Sequence, residues 1–171
     1  MIIENFDKKE KVTSPDKIYN IFKAILEKEK EENNIDFDKE HVWTIGLKSN
    51  NTIKYIELVS LGNLNSSIVH PREIYRFAIM QAVSSLILVH NHPSGEAYPS
   101  KEDIELTKLL VKAGKILGIN LIDHVILSET SYLSFCQFVD LNEVQESPDF
   151  SKLLKLIAKQ EKEKKDDFTT N

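Results

Sequence analysis

The chain of 171 residues holds a single cysteine, Cys136. One thiol forms no intramolecular disulfide and leaves a zinc ribbon without ligands. It also excludes a zinc nucleobase deaminase, whose site takes two cysteines from a Pro-Cys-x-x-Cys motif. Within the apolar run YLSFCQF, Cys136 reads as a buried small hydrophobe rather than a nucleophile. No stretch approaches the ~20 apolar residues that a membrane-spanning helix requires. The N-terminus, MIIENFDKKEKV, is charged throughout and lacks an apolar h-region, so it does not read as a secretory signal. A cytoplasmic location is expected. An excess of positive charge is missing too, since 22 basic residues face 27 acidic ones for a formal net charge of -5. Such a balance has little long-range attraction for a polyanion, and nucleic-acid binding is not indicated by charge.

What is present fits one soluble globular domain. Apolar residues at 41% and charged residues at 29% are ordinary proportions, and the length suffices for one proper core. Residues 1–13 read as a flexible arm. The segment TSPDKIYNIFKAILEKEK predicts a helix, with Ser14 to cap it, Pro15 in its first turn and an apolar stripe of Ile18, Ile21, Phe22 and Ile25. HVWTIGL, from His41, and TIKYIELVSLG predict two strands, joined as a hairpin through a turn at Asn50 and Asn51. PREIYRFAIMQAVSS predicts a helix packed by Ile74, Phe77, Ala78 and Met80 or their neighbours. LILVH is a short continuous apolar run, which suits a strand buried on both faces. A further helix is expected from Ser100 to about Leu117, with Ile104, Leu109, Leu110, Ala113 and Leu117 available for burial and Gly118 placed to stop it. INLIDHVILSE and YLSFCQF supply two more strands. Residues 141–171 read as a C-terminal helix that dissolves into a charged tail. Interleaved strands and helices predict a mixed α/β layer architecture rather than a barrel or a bundle.

The stretch LVHNHPSGEAYPSKEDIELT, residues 88–107, carries the chemistry. On an extended chain His90 and His92 project to one side and Asn91 to the other. Two imidazoles at the end of a buried strand can bind one metal ion, and a catalytic zinc site takes three protein ligands. Asp103, in the first turn of the next helix, could reach back to supply the third. The site would lie at a strand end and a helix start, where α/β folds keep their chemistry. SKED also has the form of a helix capping box, which alone would account for Ser100 and Asp103. The two readings are compatible.

HNHPSGEAYPSKED resembles the core motif of the JAMM (or MPN-type) metallopeptidase superfamily, His-x-His-x7-Ser-x2-Asp paired with an upstream glutamate. Together with GNLNSSIVHPREIYRFAI and LIDHVIL it is similar to the RadC-like branch, over residues 14–140. The resemblance implies a mixed central sheet flanked by helices, a three-layer JAMM/MPN-like arrangement of the cytidine-deaminase type. It implies a zinc ion (Zn2+) held by His90, His92 and Asp103, with a water in the fourth position. A base glutamate would take a proton from that water, and Ser100 would donate to the oxyanion, so that a peptide or isopeptide bond is hydrolysed. RadC-like proteins often carry an additional N-terminal helix–hairpin–helix segment, for which the short arm leaves no room. A stand-alone catalytic-type domain is therefore expected.

Glu40, directly before the strand HVWTIGL, stands where the superfamily carries its base glutamate. Glu73 in the first turn of a helix and Glu57 in mid-strand remain alternatives, the former also serving the helix dipole and the latter as easily facing solvent. Asp123 and His124 belong to the RadC-like pattern and read as a structural hydrogen-bond network or a cleft lining. His70 and Arg72 could contact substrate or anchor their helix, His41 reads as a surface residue at a strand start, and Trp43 and Phe77 as packing. The expected partner is a peptide or protein substrate, a ubiquitin-like protein among the candidates. A different class of function stands beside this one: an accessory protein of DNA repair or mobile-element transfer that binds nucleic acid or protein, with the zinc structural or vestigial. The RadC association motivates it and the acidic balance counts against it.

Overall fold

A computed structural model describes residues 1–3, 6–7, 9–32, 39–61, 70–142 and 148–169 of the chain. Residues 62–69, part of the RadC-like pattern, lie outside the described residues. The described strands form one mixed sheet of six, in the order β1-β3-β2-β4-β5-β6. They are β1 (Ile2–Ile3), β2 (His41–Leu47), β3 (Ile53–Leu61), β4 (Ser85–Asn91), β5 (Asn120–Leu127) and β6 (Tyr132–Ser134). Four helices among the described residues flank the sheet: α1 (Pro15–Glu32), α2 (Pro71–Met80), α3 (Lys101–Leu117) and α4 (Ser151–Thr169).

Alternation along the strands sorts the side chains into two cores. On one face Trp43, Ile45, Ile56, Ile87, Val89 and Val125 pack against Ile18, Phe22 and Ile25 of α1. On the other, Val42, Tyr55, Leu86, Leu88 and Ile126 pack against α2, α3 and α4. The result is three layers. Strand β4 runs antiparallel to β2 and parallel to β5, so it is central, and its apolar run is buried on both faces. The β4–β5 pair is parallel, and the intervening chain crosses over through α3.

The hairpin β2–β3 turns where expected, with Asn51 in the left-handed region at φ 62. Asparagine tolerates that conformation because its short polar side chain bonds locally. Helix α3 is capped at Ser100 and stopped by Gly118 at φ 69. Its inner stripe is Asp103, Ile104, Thr107, Leu110, Val111 and Gly114, whereas Leu109 and Leu117 are exposed. Polar residues thus hold part of the face that the apolar pattern alone assigns to leucines.

Other departures have local causes. Residues 1–13, expected as a flexible arm, include β1, which pairs with β3, and Ile3 and Val12 are buried. Helix α2 ends at Met80, short of the predicted Ser85, because the chain turns through Ala82 (φ 47) to send Val83 into the core and start β4. Tyr75 takes the buried place expected for Met80, which is exposed. The strand predicted over YLSFCQF is cut to β6 by a 3-10 turn at Phe135–Gln137. Helix α4 continues to Thr169 through the segment expected as a tail, with Leu153 and Ile157 buried.

Candidate metal centre

Three elements deliver the site: the start of β2, the end of β4 with the loop after it, and the first turn of α3. His90 and His92 project to the same side, their Nε2 atoms 2.8 Å apart. Asp103 reaches back from α3, with Oδ1 3.2 Å from His90 Nε2 and Oδ2 3.4 Å from His92 Nε2. Glu40 Oε1 lies 3.8 Å from His90 Nε2, on a side chain only 12% exposed. Glu40, His90 and His92 are close enough to hold one metal ion, their ligand atoms all within 4.8 Å of one another. Ligands at about 2.0–2.1 Å on a tetrahedral ion lie roughly 3.3 Å apart. The separations among His90, His92 and Asp103 bracket that value, so the donor set fits such an ion.

The side chains of His90, His92 and Asp103 are each held from behind. Ser100 is both cap and clamp: its Oγ accepts from Asp103 N at 3.0 Å, and its Oγ and backbone N each donate to Asp103 Oδ2 at 2.7 Å. The capping box and the proposed ligand are therefore one arrangement. His92 Nδ1 donates to the carbonyl of Glu96 at 3.1 Å. His90 Nδ1 lies 2.8 Å from Nε2 of His124, whose Nδ1 lies 2.6 Å from Thr107 Oγ1.

Electrostatics follow from burial and crowding. Burial works to raise the Asp103 carboxyl, but the two histidine rings beside it, His90 first and then His92, outweigh burial and hold it well below the usual carboxylate range. For His92 burial pulls the other way, and the hydrogen bond and charge of Asp103, with Glu40, win and raise it. Burial, the largest influence, pushes His124 well below the usual histidine range.

The other singled-out residues have different places. Glu73 forms a surface pair with Arg72 at 3.2 Å, and His70 caps α2 by accepting from Arg72 N. Glu57 is buried and pairs with Arg76 at 3.3 Å instead of facing solvent. His41, expected at the surface, is 0% exposed and stacks on Trp43 with centroids 5.3 Å apart. Asp123 accepts from His124 N, Ser134 Oγ and Cys136 N, a structural network in a buried corner. Cys136 itself is exposed rather than buried. Partial burial of the sulfur and the charge of Asp123 push its thiol up to about 11, which is unsuited to a nucleophile. Thr107 was not legible as a site residue, although its spacing four after Asp103 puts it on the same helix face.

A cleft of about 630 Å³ opens beside His92. Tyr19, Lys23 and Glu27 of α1 form one wall, and Gly95 and Glu129, in the loops after β4 and β5, form another.

A mixed sheet between helical layers, with two histidines and acids gathered at the end of a central strand, defines a JAB/MPN-like α/β domain. The chain belongs to the RadC-like JAB domain family, whose model matches residues 12–140. It is 48% identical over 126 residues to a UPF0758 protein of Caldanaerobacter subterraneus, covering 74% of this chain and 49% of that one. A UPF0758 protein of Desulforudis audaxviator is 50% identical over 98 residues, covering 57% and 43% respectively. One from Methanosarcina mazei is 43% identical over 126 residues, covering 74% and 52%. The chain spans about half the length of these curated relatives, and their names state no activity.

Proposed function

We propose that this chain is a zinc-dependent hydrolase of peptide or isopeptide bonds, with His90, His92 and Asp103 as the metal ligands and Glu40 as the base. The observation that carries this reading is the convergence of two imidazole Nε2 atoms and a carboxylate within 2.8–3.4 Å, beside a second carboxylate. So many acceptors packed together are tolerated when a cation sits among them. The donor chemistry, two nitrogens and carboxylate oxygen, is that of zinc hydrolases. A divalent ion there would polarise the scissile carbonyl and make water acidic enough to attack near neutral pH.

The protein's own groups do the rest. Glu40, at the mouth of the site, takes the proton from the attacking water and returns it to the leaving amine. Ser100 holds Asp103 in the resting arrangement, and rotated toward the cleft the same hydroxyl donates to the developing oxyanion. The cleft beside His92 takes the substrate chain, which is a peptide or a protein, with ubiquitin-like proteins among the candidates.

Metal content decides first. Purified protein is assayed by mass spectrometry beside the His90→Ala, His92→Ala double variant. About one zinc per chain, lost in the variant, supports the reading and makes a peptide and isopeptide substrate screen worthwhile. No zinc in either protein, even after zinc is added, overturns it.

A further inference from the structure

His124 lies beneath the histidine pair, and no step above uses it. Its ring is fully buried and contacted at both nitrogens, by Thr107 and by His90. The direction of these hydrogen bonds follows from the far end of the chain. The Thr107 hydroxyl donates to the carbonyl oxygen of Asp103 at 2.6 Å, and a carbonyl has no proton to give back. A hydroxyl has one proton. With it committed, Thr107 Oγ1 only accepts from His124, so the proton of that contact sits on His124 Nδ1. The two nitrogens of this fully buried ring meet a hydroxyl and an imidazole, neither of which balances a buried charge, so the ring carries one N–H and keeps a lone pair on Nε2. That lone pair accepts from His90 Nδ1, 2.8 Å away. With its proton held at Nδ1, His90 turns Nε2, the atom that would ligate, toward His92 and Asp103.

We infer that Thr107 and His124 are a positioning pair that locks the tautomer of His90 and aims its Nε2 lone pair into the metal centre. This inference rests on the metal-centre reading above. A ligating histidine ordinarily hands its other N–H to a carboxylate, a carbonyl or water, and His92 does so with Glu96. His90 hands its proton to another imidazole, a group able to point either way. Thr107 removes that ambiguity. Burial matters as well, since no water reaches the pair to reverse the order. The circuit closes on one residue: Asp103 anchors the relay through its carbonyl and faces the histidine pair through its carboxylate.

Two readouts test the lock. Long-range proton–nitrogen correlation NMR on the metal-free wild type reports which nitrogen of His90 is protonated. Zinc alone, titrated in competition with a chromophoric chelator, reports affinity for wild type, Thr107→Val and Thr107→Ser, with circular dichroism to verify folding. His90 protonated at Nδ1 is expected. The valine variant should bind zinc about tenfold to a hundredfold more weakly, and the serine variant should restore wild-type affinity. His90 protonated at Nε2 in the wild type overturns the lock, and that measurement stands even where Thr107→Val fails to fold. So does a folded Thr107→Val that binds zinc as tightly as wild type. A wild type that binds no zinc overturns the metal centre and the lock together, whereas tight zinc binding indifferent to Thr107 overturns the lock alone.

Discussion

Asn91, the residue between the two histidines, holds the backbone on both sides of Glu40. Its Oδ1 accepts from His41 N at 2.8 Å, and its Nδ2 donates to the carbonyl of Lys39 at 3.2 Å. One strand end thus presents histidines to one face while its intervening residue sets Glu40, the proposed base, from the other. Asn91→Ala removes both bonds, one of them from a buried backbone amide, at a cost of ~1–3 kcal/mol. Thermal unfolding should show that loss. Zinc content should stay near wild type while hydrolysis falls, because the ligands keep their supports and Glu40 does not.

Glu40 and Glu73 separate cleanly by substitution. Glu40→Gln keeps the shape of the side chain and removes its basicity. It is expected to retain zinc and to lower turnover by roughly 10²–10⁴-fold, the usual contribution of a positioned base. Glu73→Gln, which disturbs only the surface pair with Arg72, should match wild type in both assays. Unimpaired turnover in Glu40→Gln would remove Glu40 from the mechanism.

Ser100 predicts a coupled loss. Ser100→Ala deletes the α3 cap, worth about 1 kcal/mol. It also frees Asp103 Oδ2 from one of its two donors, so zinc affinity should fall together with melting temperature. Ser100→Thr keeps the hydroxyl and should recover both. Melting that falls while zinc affinity does not would show that the cap acts on the helix alone.

Glu57 gives a pH signature away from the site. Burial raises its carboxyl above the ordinary value of 4.5, with Arg76 only partly opposing the shift. A carboxyl with a raised folded-state pKa contributes stability that is complete below the unfolded value and is lost as pH rises through the folded one. Glu57→Gln, neutral throughout, should therefore melt higher than wild type at pH 7. The gap should shrink as pH falls toward 4. A gap that grows on acidification would mean that the pair with Arg76 outweighs burial.

Much of this fold is written in local patterns. The two-residue alternation around Asn91 puts His90 and His92 on one side, the Ser100-to-Asp103 spacing marks the start of α3, and Gly118 marks its end. Helix and strand periods are properties of short segments, which is why they read directly. What did not read depends on partners far along the chain. His41 is buried because Asn91, fifty residues on, receives its amide. Ile3 is buried because β3 offers β1 an edge. Thr107 looked like one more polar helix residue until the register of β5 set His124 against it. The resemblance had already favoured Glu40 over Glu73, and the β2–β4 pairing that brings Val42 opposite His90 is what sets Glu40 beside the histidines.

That short β1 strand also bears on how the molecule behaves among its own copies. Strand β3 is nine residues long, and its outer edge is met by residues 1–3, with further bonds from Glu10 and Val12 near its start. A bare strand edge is a template on which another chain can add itself, and natural sheets cover such edges or blunt them. The opening residues therefore serve as a guard rail for the sheet. Clipping them would leave the elements that carry the histidine pair in place and turn the opposite margin of the molecule into a surface inviting self-association.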